Sequence, residues 1–238
     1  MTDTAPPTLR LFPNAVEMAQ GLAEAIAARL DTAIQARGVA SFVTSGGSTP
    51  GDMYDVLSRA DIAWDRVVVT VSDERWVSRG AEGSNEKRLR DRLLQNKAAA
   101  ASYVGLRTDH DTPALGAQAA EERIAALPRP FDVTLVGMGP DSHTASLYPL
   151  ASGLAEALDT SRPNMTAAVN PVEAVGSNQR LSLSLRALLD SRIIIILFRG
   201  EEKLAVYRAA LAGANVHEAP VRALIHQSQT PVEVWWAP

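Results

Sequence analysis

The sequence predicts a three-layer α/β/α fold, a mostly parallel, Rossmann-like sheet with helices on both faces. Three observations carry that expectation. Short β-rich runs alternate with segments of helical periodicity along the chain, the order that yields parallel strands joined by right-handed crossovers. The run from Ile193 to Phe198 is continuously apolar and mostly β-branched, as a central strand covered on both faces should be. Two strand candidates, ending at Thr44 and Val136, run directly into glycine-containing turns, and strand ends of this kind are where open α/β sheets hold ligands.

In chain order, residues 1–8 are polar, carry Pro6 and Pro7, and lack the apolar stretch of a signal peptide, so a flexible arm is expected. From Asn14 to Arg37 apolar residues recur at helical spacings, with Asn14 as cap and Gly38 as stop. Ala40 to Thr44 reads as a strand, Ser45-Gly-Gly-Ser-Thr as a loop, and Pro50 as the first turn of a helix. A strand is expected over Arg66 to Val71, ending in Ser72-Asp-Glu-Arg-Trp-Val77, and a loop then runs to Ser84. Ser84 suits an N-cap for a charged helix from Asn85 to Gln95.

Tyr103 to Leu106 is a strand candidate, Pro113 to Leu127 an Ala-rich helix and Asp132 to Val136 a strand. Between Ser152 and Asn178 the pattern is weakest, with a strand at Thr166 to Val169. Arg180-Leu-Ser-Leu-Ser-Leu185 alternates, which predicts a strand with one polar face before a short helix to Leu189. A strand over Arg192 to Phe198, a helix from Glu201 to Ala212, a helical turn within Pro220 to Gln227 and an edge strand from Pro231 to Trp235 complete the reading. With no internal repeat and no Pro/Gly/Ser-rich linker, residues 1–238 are expected to form a single domain.

Composition narrows function. At 46% hydrophobic and 21% charged residues the chain has an ordinary globular balance. The absence of cysteine removes disulfides, thiolate nucleophiles and cysteine metal sites, and suits a reducing compartment. A net charge of -4 argues against a nucleic-acid partner held through phosphates. The longest apolar run is too short to cross a bilayer, so no membrane partner and a cytoplasmic location are expected.

Four stretches could carry chemistry. In Gly137-Met-Gly-Pro-Asp-Ser-His143, Asp141 can hold one ring nitrogen of His143 and leave the other for proton transfer; helix capping beside a surface histidine is the alternative. Ser45, Gly46, Gly47, Ser48 and Thr49 can aim backbone N–H groups and hydroxyls at an anion, or form a plain strand-to-helix turn. Asp73-Glu-Arg75 beside Trp76 is either a site or an ion-pair cluster. Lys203 opposes a helix dipole unless an anion lies nearby, although Glu201 or Glu202 could pair with it. His110, His217 and His226 read as surface residues, and no metal-ligand cluster emerges. Lys87, Arg88, Arg90 and Arg92, interleaved with Glu86 and Asp91, read as a solvated face.

Taken in order, Ser45-Gly-Gly-Ser-Thr-Pro50, Ser72-Asp-Glu-Arg-Trp-Val77, Ser84-Asn85, Gly137 to Pro149, Arg180-Leu-Ser-Leu-Ser184 and Gly200-Glu-Glu-Lys203 give a sequence that resembles the 6-phosphogluconolactonase family. That resemblance implies the fold type shared with glucosamine-6-phosphate deaminase and ribose-5-phosphate isomerase. It also implies hydrolysis of 6-phospho-D-glucono-1,5-lactone in the oxidative pentose phosphate pathway, with a sugar-phosphate lactone as partner and no cofactor or metal. By resemblance His143 is the general base and Asp141 its orienter. Ser45 to Thr49, Arg75 and Lys203 surround the substrate phosphate, and Asp73, Asn85 and Arg180 join the substrate-binding set. A monomer or weak homodimer is expected.

Three positions depart from the family pattern: Ser142 and Leu150 stand where glycine is usual, and Tyr148 where phenylalanine is usual. A positive φ at Ser142 would therefore be costly. The deaminase pattern, by contrast, has an acidic residue near 147–148 and Asp-Glu-Tyr where this chain has Asp-Glu-Arg75. An amino-sugar-phosphate deaminase or isomerase and a non-catalytic sugar-phosphate sensor are the alternatives.

Overall fold

The structure, a computed structural model, describes residues 7–172, 174 and 176–238. The strands are β1 (Thr8–Leu11), β2 (Ala40–Thr44), β3 (Val67–Val71), β4 (Asp73–Arg75), β5 (Ser102–Tyr103), β6 (Val133–Gly137), β7 (Thr166–Val169), β8 (Arg180–Leu183), β9 (Ile194–Arg199) and β10 (Val232–Ala237). The helices are α1 (Ala15–Arg37), α2 (Gly51–Leu57), α3 (Asn85–Arg92), α4 (Pro113–Ala125), α5 (Leu154–Leu158), α6 (Leu185–Leu189), α7 (Glu201–Ala212) and α8 (Arg222–Ile225).

Among the described residues seven strands form one parallel sheet in the order β1-β10-β9-β6-β2-β3-β5. The chain builds outward from β2 through β3 to β5, then returns to the other side of β2 with β6, β9 and β10. Successive crossovers thus diverge between β2 and β6, and a crevice opens there at the carboxyl ends of the strands. The central strands carry the core: Phe42, Val133, Leu135, Ile194, Ile195 and Ile196 are all fully buried. That is why β9 reads as an unbroken apolar run rather than an alternating one.

Helix α1 forms as its caps dictate. Asn14 Oδ1 accepts the Glu17 N–H at 2.9 Å, and Gly38, at φ 75°, closes the helix by donating to the Ile34 carbonyl at 2.7 Å. Its stripe of Met18, Leu22, Ile26 and Leu30 is buried, each contributing about 1.5–3 kcal/mol.

Several expectations are corrected. Residues 1–6 of the expected arm lie outside the described residues, but Thr8 already belongs to β1 and pairs with Glu233. Strand β10 is therefore not an edge; β1 covers it. The β1 side chains are exposed throughout, so the strand lacks the buried apolar pattern that identifies strands in sequence. Residues 73–75, expected at the end of the β3 strand, form a separate short strand. β4, β8 and β7 make a small antiparallel sheet beside the parallel one. The polar residues of β8 are buried along with the apolar ones, because Arg180 and Ser182 face charged and polar partners. The strand expected at 103–106 shrinks to Ser102–Tyr103, and α3 stops at Arg92 rather than Gln95. Pro50 precedes α2 as its cap residue.

The poorly legible stretch after Ser152 contains α5, entered through Gly153 at φ 89°. A β-carbon there would sit 2.1 Å from the Ala168 carbonyl oxygen of β7, so both dihedral and space demand glycine. Gly153→Ala should lower the urea midpoint at unchanged slope by the equivalent of about 3 kcal/mol, measured by equilibrium unfolding; an unchanged midpoint would contradict this packing.

Candidate active site

A cleft opens at the carboxyl ends of β3, β2, β6 and β9. Ser45, Gly46, Gly47, Ser48, Thr49, Asp73, Arg75, Asn85, His143, Arg180 and Lys203 line it together. Asp141 is the one expected site residue outside the lining, and it stands behind His143.

The turn after β6 presents the imidazole. Gly139 N–H donates to the His143 carbonyl at 2.9 Å and Ser142 N–H to the Gly139 carbonyl at 3.0 Å, folding the chain back on itself. A β-carbon on Gly139 would fall 2.1 Å from His143 Nδ1 and 2.6 Å from Asp141 Oδ1, so glycine makes room for the pair. Asp141 Oδ1 lies 2.5 Å from Nδ1 and accepts the His143 backbone N–H at 3.2 Å. With Nδ1 engaged, Nε2 is the ring nitrogen that has no partner among the described residues. Burial alone would raise the Asp141 carboxyl, but the hydrogen bond and charge of His143 outweigh it, and the carboxyl titrates below its ordinary value.

The loop after β2 supplies donors. Tyr54 in α2 holds it by donating to the Ser45 carbonyl at 2.7 Å and accepting the Ser45 N–H at 3.1 Å. Gly47 adopts φ 86°, and the N–H groups of residues 46–49 donate no hydrogen bond among the described residues. Such a row of open amides is a concavity for anionic oxygens. Lys203, in the first turn of α7, faces the cleft and forms no ion pair among the described residues, contrary to pairing with Glu201 or Glu202. Burial depresses its ammonium, opposed by Asp141 and Glu202.

The antiparallel sheet forms the third wall. Asp73, 5% exposed, accepts Ser146 Oγ at 2.5 Å and lies 3.6 Å from Arg180 Nη1, with Arg180 2% exposed. Arg75 donates to the Gly83 carbonyl at 2.7 Å, while its buried Nε has no partner among the described residues. Asn85 Nδ2 donates to the Asp73 carbonyl at 2.8 Å, and its Oδ1, against Gly46, has no partner among the described residues.

Sequence reasoning missed two contributors. Glu74 accepts the N–H groups of Arg75, Asn85 and Glu86 at 2.7–2.8 Å, so it caps α3 and fixes Asn85. Its burial raises the carboxyl despite those three bonds. The signal was its place between Asp73 and Arg75. Tyr148 stacks on His143 with ring centroids 3.9 Å apart, a contact visible only in three dimensions. As expected, His110, His217 and His226 are exposed. The α3 charges divide: Arg90 pairs with Glu86 and Lys87 with Asp91, but Glu86 is buried rather than solvated.

Comparison with known proteins bears on this arrangement. Residues 13–236 match the family model described as glucosamine-6-phosphate isomerases/6-phosphogluconolactonase. A 6-phosphogluconolactonase of Rhizobium meliloti is 38% identical over 97% of this chain and 98% of its own length. One from Mesorhizobium japonicum is 40% identical over 95% and 94%. The chain belongs to this family. Among solved structures, a 6-phosphogluconolactonase from Shewanella baltica superposes with a TM-score of 0.95 at 42% identity, covering 98% of both chains.

Two of the three departures from the family pattern share a backbone conformation. Ser142 has φ 64° and Leu150 φ 60°, both in the left-handed region where glycine is at ease. Ser142 offsets the strain by donating to the Asp141 carbonyl, and its own carbonyl accepts the Val221 N–H at 3.1 Å. Leu150, 87% exposed, has no such compensation among the described residues.

Two outcomes follow from this geometry. Leu150→Asn, which tolerates the left-handed region, should stabilise the fold by about 1 kcal/mol without altering turnover, by chemical denaturation and steady-state kinetics. Because Asp141 titrates lower when folded, its contribution is fully present above the unfolded pKa and is lost as pH falls through the folded value. The stability gap between the parent and Asp141→Asn should therefore be widest at neutral pH and close in acid; a gap that widens in acid would contradict the assignment.

Proposed function

We propose that this chain hydrolyses 6-phospho-D-glucono-1,5-lactone to 6-phospho-D-gluconate, with His143 activating the attacking water. The carrying observation is the cleft itself. An imidazole tethered by a carboxylate shares it with Arg75, Lys203 and a loop of open amides. The names of the relatives at 38% and 40% identity support the same substrate. Residues 144–150 contain no carboxylate, so the acidic residue of the deaminase pattern is missing.

In this reading the phosphoryl group is held by Arg75 and Lys203, the guanidinium as a fork and the ammonium as a point charge. A bound dianion suits Lys203, whose charge is disfavoured by burial. His143 Nε2 takes a proton from water as its oxygen bonds to C1, and Asp141 stabilises the imidazolium. The amides of residues 46–49 supply donors for phosphoryl oxygens and the developing oxyanion, since the Gly139 N–H is occupied by the His143 carbonyl. On collapse the C1–O5 bond breaks and the imidazolium returns its proton to O5, giving the open-chain acid. Asp73, Asn85 and Arg180 form the sugar-facing wall. No cofactor enters this scheme. A cytoplasmic monomer or weak homodimer, with neither nucleic acid nor membrane as partner, remains part of the proposal. No helix among the described residues is long and apolar enough to cross a membrane.

The test supplies freshly generated 6-phosphogluconolactone and, separately, glucosamine 6-phosphate, following acid release and ammonia. Acid release from the lactone is expected; ammonia without acid would replace this reading with deamination, and binding without turnover with sensing. His143→Ala should lower kcat by ~10²- to 10⁴-fold. Arg75→Ala should act mainly by raising KM, and equal effects on KM from both substitutions would overturn the division into base and anchor.

A further inference from the structure

Asp141 fixes where the His143 ring points but not how it is rotated about that hydrogen bond. The hydrogen bond to Nδ1 does not by itself fix the roll of the imidazole, which brings Nε2 into or out of line with a water it must deprotonate. A second surface therefore has to set the plane of the ring.

Tyr148 has the required geometry. Its ring lies 3.9 Å from the imidazole, centroid to centroid, with an interplanar angle of 18°, which is a parallel stack. Tyr148 is itself held. The Arg180 guanidinium sits 5.2 Å from its ring centroid, and Arg180 is buried beside Asp73. Asp73 accepts from Ser146, two residues before Tyr148, so the same carboxylate ties the loop bearing the tyrosine to the antiparallel sheet. The phenol hydroxyl forms no hydrogen bond among the described residues, which leaves the ring face as the group that touches His143.

Resting on the reading of His143 as base, we propose that Tyr148 is a positioning residue: its ring face, braced by Arg180, sets the plane of the imidazole and thereby the direction of Nε2. The face of the ring, not the hydroxyl, performs this role.

Three variants test it. Tyr148→Phe keeps the face and should retain kcat within about threefold, with an unchanged pH profile. Tyr148→Leu removes the face and should lower kcat by ~10- to 100-fold, the cost of a misplaced reacting group. Its KM should stay nearly constant. Loss in Phe equal to loss in Leu would overturn the proposal in favour of the hydroxyl. Parent-like kcat in Leu would overturn it outright, as would a loss confined to KM.

A readout independent of turnover separates this from the reading of the base. The chain has four histidines, and the resonances missing from His143→Ala identify the fourth ring in proton–nitrogen spectra. In the parent those ring protons should be displaced by the aromatic face of Tyr148, in Phe they should remain so, and in Leu they should move toward the three exposed histidines. Unmoved resonances in Leu would sink the stack whatever the kinetics. Full activity in His143→Ala would instead sink the base while leaving the stack intact. Should Leu fail to fold by circular dichroism, Tyr148→Met takes its place under the same criteria.

Discussion

The functional end of this molecule depends on a crowded turn. Gly139, Asp141 and His143 occupy so little space that no side chain fits on the first of them, and the carbonyl of the last closes the turn onto the amide of the first. From that closure come both the short carboxylate contact to Nδ1 and the exposure of the other ring nitrogen to the cleft. A looser turn could still carry an aspartate and a histidine, but it would not hold them in one orientation, and rate falls steeply with small misplacements.

Around this turn the site is assembled from parts that the sheet topology brings together. Strands β2 and β6 lie side by side although α2, β3, β4, α3, β5 and α4 intervene in the chain. Their divergent crossovers leave the crevice into which the 45–49 loop and the 138–143 turn both project. Charge is placed with the same economy. Arg180 and Asp73 are buried as a mutual pair, so neither is left uncompensated. Lys203 and the Nε of Arg75, by contrast, keep unspent capacity at the cleft.

Much of this was legible in the sequence because it is written in local rules. Asn14 and Gly38 bracket a helix by capping alone, Ala40 to Thr44 is a strand by composition, and Gly200 opens α7 where expected. The site residues were legible because glycine, charge and hydroxyl groups cluster at strand ends. Illegible parts are those whose cause is non-local. β1 has exposed residues on both faces and exists because β10 offers it an edge. β4 is three residues long and is a strand only because β8 pairs with it. The roles of Glu74 and Tyr148 are set by the α3 amides that converge on the one and the His143 ring that lies against the other.

The pairing of β4 with β8 joins Arg75 to Arg180, residues far apart in sequence, and the site wall does not exist until that long loop has closed. Closing such a loop spends chain entropy before any contact rewards it, so pairings of this kind form late. A refolding population should regain sheet and helix signals first and turnover last. Turnover should thus report completed topology.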